Sequence, residues 1–578
     1  MQQPSTPPPP TWHLFIPKLI TVLREGYSGR SFRQDAVAGL TVAIVALPLA
    51  MALAIASGAT PDKGLITAVV AGLLISALGG SRFQIGGPTG AFVVVVFNVI
   101  QNFGYDGLVL ATLMAGVILI LAALARFGTW IKYIPEPVVT GFTAGIAVII
   151  FSSQIKELFG LSLDQVPAEF FAKLGALWAV RDTVDPATMV IAFGALGIIL
   201  VLRRYAPKLP GFLIAILVAS AVVTMLGLPI ETIGSRFGGI PSTFPMPHWP
   251  EMSLTKVVSL IPSALTIAFL AGVEALLSAV VADGMTGRRH RSNCELFAQG
   301  IANFASALFG GLPATGAIAR TATNIRSGAK SPIAGILHAG FVLLFMLVFA
   351  PLAYFVPLAS LAAVLVVVAW NMSEIDRFRH LMRGPSGDRL VLLMTFGLTV
   401  AVDLTLAIEV GVVLASIQFM HRMSEVAAIG SDNQGLLEED DIDDLTRPAS
   451  DRYTLRAALP KDVEVFQFRG PLFFGVANRM SDIIDRIAGS PRVFILRLSE
   501  VPMIDSSGAG KLKEFIAKCR SHGTQVVLTG LQPQPDRVLR DMHVLNGDAD
   551  VHIAEDFTQA LDIASRLDDR RGGTRLPG

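Results

Sequence analysis

The sequence predicts an α-helical polytopic membrane protein with 14 transmembrane segments arranged as a 7+7 inverted repeat, followed by a small cytoplasmic α/β domain. Three observations lead there. The 578 residues are 52% hydrophobic and 16% charged, with a mean hydropathy of +0.59, too apolar for an ordinary soluble chain. Charge is also unevenly spread: tracts around 36–56, 61–79, 107–125, 138–155 and 333–350 are almost uncharged, whereas 430–578 has soluble-protein composition. Finally, GGPTGAFVVVV, from Gly86 to Val96, is echoed by GLPATGAIART, from Gly311 to Thr321, with Thr-Gly-Ala directly after Pro88 in the first and after Pro313-Ala314 in the second.

Taken in order, residues 1–30 form a proline-rich cytoplasmic tail, extended at MQQPSTPPPP and without the short apolar core of a cleavable signal peptide. The membrane domain, 31–425, holds two repeats. Apolar segments near 36–56, 61–79, 87–101, 107–125, 138–158, 187–202 and 210–228 make the first, within about 36–228. Those near 258–283, 293–309, 315–327, 331–351, 357–371, 388–402 and 404–420 make the second, within about 258–420, with Asp403 dividing its last run. An odd number of crossings per repeat makes the second half enter from the opposite side.

Basic residues test this independently. Lys18, Arg24, Arg30 and Arg33 in the tail, then Arg82, Arg126, Lys132, Arg203, Arg204, Arg288, Arg289, Arg326, Lys330, Arg377 and Arg379, fall after even-numbered spans, all on one side. The N-terminus and the C-terminal domain are therefore expected in the cytoplasm, and the chain in a bacterial-type inner (plasma) membrane. A net charge of +1 gives no reason to expect nucleic-acid binding. The two cysteines, Cys294 and Cys519, assemble no disulfide framework or metal cluster, and no cofactor motif appears.

The echoed stretches carry the chemistry. Each opens with Gly and Pro at a depth where a full helix would be under way, so each begins a half-helix that must be buried in protein or line a watery cavity. The free amides of two such N-termini attract an anion, worth ~1 to 2 kcal/mol per helix in partly buried geometry. The candidate substrate-binding residues are Thr89, Gly90 and Ala91 in the first, and Thr315, Gly316, Ala317 and Arg320 in the second. Arg320, a cation in the first turns of a helix, calls for nearby negative charge, either an anionic substrate or a permanent carboxylate partner. The threonines offer hydroxyls to a ligand or back-bond to their own helices.

Glu274 lies inside the eighth span, where an ionised carboxylate costs on the order of 2.5 to 3.5 kcal/mol on insertion scales. Taking up a proton removes that cost, which makes Glu274 the candidate coupling-ion residue; Ser278, one turn on, shares its face. A structural pair of Glu274 with Arg320 is compatible with that role. Asp283, His338, Asp403 and Glu409 read as satisfied structural groups. No catalytic constellation appears, and enzymatic activity is not expected.

With these residues in place, the sequence resembles the sulfate permease (SulP) family of anion transporters, from about residue 31 to about 567. The resemblance rests on GLTVAIVALPLAMALAIASGATPDKGL in the first span, GGPTGAFVVVV in the third, and EALLSAVVADGMTGRRHRSNCELFAQGIANFASALFGGLPATGAIARTATN across the eighth to tenth. It implies a core of spans 1 to 4 and 8 to 11 moving against a gate of spans 5 to 7 and 12 to 14, with substrate between the N-termini of spans 3 and 10. It also implies a homodimer. Glu274 and Ser278 fall at the family's coupling-ion positions, and Gly316 and Ile318 near the site. Sodium-coupled bicarbonate members tend to have Asp, Thr and Thr where this chain has Glu274, Ser278 and Ile318, so the resemblance points to H+ more than Na+. Leu49 and Ala50 follow Pro48 where many sulfate-transporting members look more polar. The expected function is secondary active transport of a dicarboxylate, bicarbonate or sulfate with H+ by elevator-type alternating access; the alternative is a Na+-coupled bicarbonate or sulfate symporter, or an anion exchanger, of the same family.

After an acidic linker, 430–450, residues 453–567 alternate strands and helices and resemble a STAS domain, with MIDSSGAG as the most specific stretch. Ser506 or Ser507 is expected to cap the helix that follows, or to be phosphorylated. Residues 568–578 are expected to be a disordered tail. Two rivals are weaker. A nucleobase permease needs carboxylates and amides to read a neutral ring, against a cationic Arg320; a membrane signalling scaffold, in which the STAS domain acts and transport is vestigial, is separated by deleting 430–578, after which the transporter reading expects transport to be retained.

Overall fold

In a computed structural model the described residues are 14–129, 135–163, 166–207, 209–402, 404–426, 428–431, 462–473, 491–545 and 551–572. Asp403, Lys132, most of the acidic linker, the extreme N-terminal prolines and the stretch VANRMSDIIDRIA lie outside them. Contacts divide the chain into a unit through Ala415 and a second from Ser416.

Helices fall on all the expected spans: α2 (Gly29–Ala56), α3 (Pro61–Leu78), α4 (Phe92–Leu124), α5 (Glu136–Phe159), α7 (Pro186–Tyr205), α8 (Gly211–Leu226), α10 (Leu254–Thr286), α11 (Ser292–Leu308), α12 (Ile318–Arg326), α13 (Ile333–Ala353), α14 (Leu358–Met372), α16 (Ser386–Ala401) and α17 (Leu404–Val426). Helix α4 holds two of them, bent at Gly104, whose φ of 73° is open to glycine and strained for other residues. By length and composition, nine helices among the described residues can cross a membrane. Helix α12 has nine residues and crosses only part of one.

Short helices lie between and before them: α1 (Lys18–Glu25), α6 (Phe170–Ala179), α9 (Ile233–Phe237) and α15 (Ile375–Leu381). Residues 18–25 of the 1–30 tail are thus helical, while MQQPSTPPPP lies outside the described residues. Helix α1 is tied to the membrane unit by Lys18 N–H donating to Gly79 O (2.9 Å) and by Arg291 Nη1 donating to Ile16 O (2.7 Å).

Within the first unit the helices sort into two bundles. Helix α4 packs on α10 and α11, and α13 on α2 and α3; separately, α5 packs on α14, α16 and α7, and α7 on α8 and α14. These are the groups the resemblance assigned to core and gate. Lipid offers helices no hydrophobic reason to associate, so contact depends on small residues that admit close backbones. A Cβ on Gly116 of α4 would sit 2.7 Å from the Phe304 amide nitrogen and 2.8 Å from the Gly300 carbonyl, and one on Gly300 would sit 2.8 Å from the Gly116 carbonyl. Gly300→Val is therefore expected to cost about 1–3 kcal/mol or more of stability, read as a lowered melting temperature in detergent; an unchanged value would show that this crossing is not close.

The second unit carries a five-stranded sheet in the order β3 (Ala428–Ser431), β4 (Val463–Arg469), β5 (Val493–Glu500), β6 (Gln525–Thr529), β7 (Val551–Ala554). The β3–β4 pair is antiparallel and the others parallel. Helices α18 (Ser506–Ser521), α19 (Pro533–Asp541) and α20 (Phe557–Gly572) accompany it. Three expectations are corrected. Gly430 and Ser431, assigned to the linker, end the edge strand β3, so the sheet recruits residues ahead of 453. Helix α20 continues through Gly572, so 568–572 are helical. The cap of α18 is Asp505: its Oδ1 accepts from Gly508 N–H at 2.7 Å, while Ser506 and Ser507 lie exposed in the first turn. A cap residue must be extended with its side chain turned back on the helix, and that geometry falls one position earlier. Asp505→Ala is expected to lower the melting point of this unit by the equivalent of about 1 kcal/mol; Ser506→Ala and Ser507→Ala should not.

Candidate functional site

The echoed stretches meet. Gly86–Gly87 (β1) pairs antiparallel with Thr315–Gly316 (β2), Gly86 opposite Gly316 and Gly87 opposite Thr315. Ala317 N–H donates to Ile85 O at 2.9 Å, extending the pairing by one bond. Two helices thus begin within a few residues of one crossing, α4 at Phe92 and α12 at Ile318. Crossing extended chains satisfy each other's backbone groups where the membrane offers no water, which explains how broken segments are tolerated there.

Around this crossing the expected side chains gather. Thr89 Oγ1 donates to Glu274 Oε2 at 2.8 Å, and both residues are half-buried. Arg320, 3% exposed, donates from Nη2 to Pro88 O and leaves its buried Nε without a partner. The guanidinium lies against Gly87, where a Cβ would come within 3.3 Å of Cζ and closer still to Nη1. Glu274 and Arg320 therefore hold neighbouring residues, Thr89 and Pro88, and feel each other's charge, but form no ion pair. Ile318 and Ala319, at the start of α12, are exposed, so this end of the helix is open.

Other expected residues are engaged elsewhere. Thr315 Oγ1, fully buried, donates to Ala271 O at 2.8 Å and fastens β2 to α10. Ser278 Oγ, also fully buried, bonds Thr321 Oγ1 at 3.2 Å. Gly90, Ala91, Gly316 and Ala317 are buried and supply backbone. Gly90 also marks the seam between the bundles: a Cβ there would meet the Met372 sulfur of α14 and lie 3.3 Å from Ile150 Cδ1 of α5.

Several residues that hold the site together were not singled out in the sequence. Thr321 accepts from Ile85 N–H at 3.1 Å, joining α12 to the approach to β1. Glu295, fully buried at the start of α11, accepts from Gly80 N–H (2.9 Å) and Ser81 N–H (3.0 Å) and so sets the turn before β1. Asp35, fully buried in α2, accepts from Lys330 N–H (2.6 Å) and from the Ser331 hydroxyl (2.5 Å) after α12. Each half-helix is thus anchored by a carboxylate of another element. The available signal was an acid at the start of an apolar run, opposite a Gly- or Ser-bearing turn. His338, read as a satisfied structural group, is fully buried with both ring nitrogens unpartnered in the structure.

The sulfate permease family model matches residues 32–395, and the STAS domain model matches 455–560. A protein of Bacillus subtilis (strain 168) named "Putative sulfate transporter YvdB" is 43% identical over 518 residues, covering 89% of this chain and 94% of its own. The bicarbonate transporter BicA of Synechocystis is 30% identical over 542 residues, covering 92% and 94%. Among solved structures, the murine Solute Carrier 26 family member A9 anion transporter in the inward-facing state superposes with a TM-score of 0.83 at 18% identity, over 98% of this chain and 96% of that one. With a family match over most of the membrane unit and a relative 43% identical over nearly the whole chain, the chain is a member of the sulfate permease family with a C-terminal STAS domain.

Proposed function

We propose that the protein is a secondary active transporter that carries a small anion, a dicarboxylate, bicarbonate or sulfate, together with a proton, by sliding its core bundle against its gate bundle. The observation that carries this reading is Arg320: a buried cation beside two helix starts, near Glu274 but not ion-paired to it, leaves a place for a negative ligand. Relatives named as sulfate and bicarbonate transporters support the class of substrate.

Glu274 takes the coupling role in this reading. Sodium requires several oxygens converging on one point; here Thr89 Oγ1 is beside Glu274, but the hydroxyls of Ser278 and Thr315 are turned to Thr321 and Ala271. A proton needs one oxygen. The seam at Gly90, where the core touches Met372 and Ile150, supports the elevator: a small residue at the sliding face lets the bundles pass. The reading also takes the N-terminus and STAS domain as cytoplasmic and the protein as a homodimer, as the basic-residue pattern and the family resemblance indicate. Ser506 and Ser507 belong to it as regulatory positions, since a phosphate in the first turn of α18 would meet the positive end of the helix.

Proteoliposomes test the reading, with labelled fumarate, bicarbonate and sulfate supplied in turn under an imposed pH or Na+ gradient. Uptake of one of them driven by the pH gradient is the expected result. Uptake that follows only the Na+ gradient replaces the proton, and no uptake of any of the three under either gradient ends the proposal.

A further inference from the structure

A cavity of about 830 Å³ lies at the end of the membrane unit where α2 and α5 finish and α7 and α14 begin. Its lining comes from both bundles, with Phe97 and Gln101 of α4 on one side and Ser153 and Lys156 of α5 and Lys173 of α6 on the other. Phe97 is six residues beyond Ala91, so this chamber opens about 9 Å along α4 from its N-terminus.

Lys173 is the anomaly. It is 3% exposed, on a helix otherwise made of apolar and small residues. Its Nζ donates to Ser153 Oγ at 2.8 Å and lies 5.9 Å from the Phe97 ring centre. The Ser153 hydroxyl proton is committed to Ile149 O at 2.9 Å, which leaves an oxygen lone pair for the lysine. An ammonium has three N–H donors, and a buried charge is ordinarily paired. Among the described residues no carboxylate comes within ion-pairing distance of Lys173.

The acids that line the same chamber are already engaged. Glu157 pairs with Arg236 at 2.7 Å, and Glu231 pairs with the same guanidinium. Asp185 spends both oxygens on the start of α7, accepting from Ala187 N–H (3.2 Å) and Thr188 N–H (2.9 Å). Lys156 adds a second cation on the wall, its Nζ donating to Leu163 O at 2.7 Å. The chamber therefore presents a desolvated ammonium with donors to spare, a carboxamide in reach of the same space at Gln101, and carboxylates turned aside.

We propose that this chamber is a second anion station, centred on Lys173, that receives a small oxyanion at the seam between the bundles before or after the anion occupies the β1–β2 site. The inference rests on the anion-transport reading. An oxyanion there accepts the unused Lys173 donors, and the volume leaves room for its water. Because the walls belong to different bundles, movement of one past the other alters the station, which ties its affinity to the transport state.

Equilibrium binding to the full chain in nanodiscs tests it, with radiolabelled sulfate, fumarate and bicarbonate each used alone. Wild type is expected to bind two equivalents per chain of the anion it transports. Lys173→Met removes one or weakens it on the order of a hundredfold, Lys173→Arg keeps both, and Arg320→Met removes the other. Ser153→Ala, a milder change that preserves folding if Lys173→Met does not, weakens the same equivalent on the order of tenfold. Lys173→Met and Ser153→Ala binding like wild type, while Arg320→Met loses binding, overturns the station alone. Loss in Lys173→Met with none in Arg320→Met keeps the station and overturns the central site. No binding of any of the three anions to wild type overturns both.

Discussion

Glu274→Gln is expected to abolish anion accumulation driven by a pH gradient while leaving the protein folded. One proton carried per monovalent anion converts each pH unit into about 1.36 kcal/mol, or about tenfold accumulation at zero membrane potential. With Gln the ratio falls to about one, because the side chain is neutral on both sides of the membrane and carries no proton across. Glutamine keeps an oxygen for the Thr89 hydroxyl, which now donates to Glu274 at 2.8 Å, so the local geometry survives. Exchange of labelled for unlabelled anion, which needs no net proton movement, should persist. Accumulation by Glu274→Gln equal to wild type would remove this residue from coupling.

Arg320 carries the second large effect. Arg320→Met is expected to raise the concentration of anion needed for half-maximal uptake by on the order of a hundredfold or more, the scale seen when one partner of a buried charged contact is truncated. Arg320→Lys should fall between. Lysine restores the charge but not the planar fork, which here spends one nitrogen on Pro88 O and keeps Nε free of protein partners. Gly87→Ala should mimic part of the defect, because its Cβ would press on the same guanidinium. The amount of folded protein must be checked alongside, since removing Arg320 also leaves the Pro88 carbonyl buried without its donor. Uptake by Arg320→Met with unchanged concentration dependence would show that the anion is held elsewhere.

The helices were legible in the sequence because lipid imposes a length and a polarity that few other environments demand; each expected span has a helix on it. The crossing was legible for a related reason, since Pro and Gly inside an apolar run are tolerated only where another part of the protein supplies the missing bonds. What the sequence did not reveal depends on pairing across hundreds of residues. Glu295 and the turn at Gly80, or Asp35 and Ser331, are far apart in the chain, and nothing local marks them as partners. The β3 edge strand was missed because four residues without strong alternation acquire a register only when Phe466 to Arg469 lie opposite. Lys173 escaped notice because a lone lysine between apolar residues reads as the end of a span until its neighbours are known.

The β1–β2 crossing also bears on how the protein is made. Gly86 and Gly87 are synthesised more than two hundred residues before Thr315 and Gly316, their partners across the crossing. Until the later strand arrives, the earlier one has polar backbone in an apolar surrounding, at roughly 2–7 kcal/mol for each unsatisfied group. The crossing therefore comes into existence late, as a product of assembly between the two halves of the membrane unit.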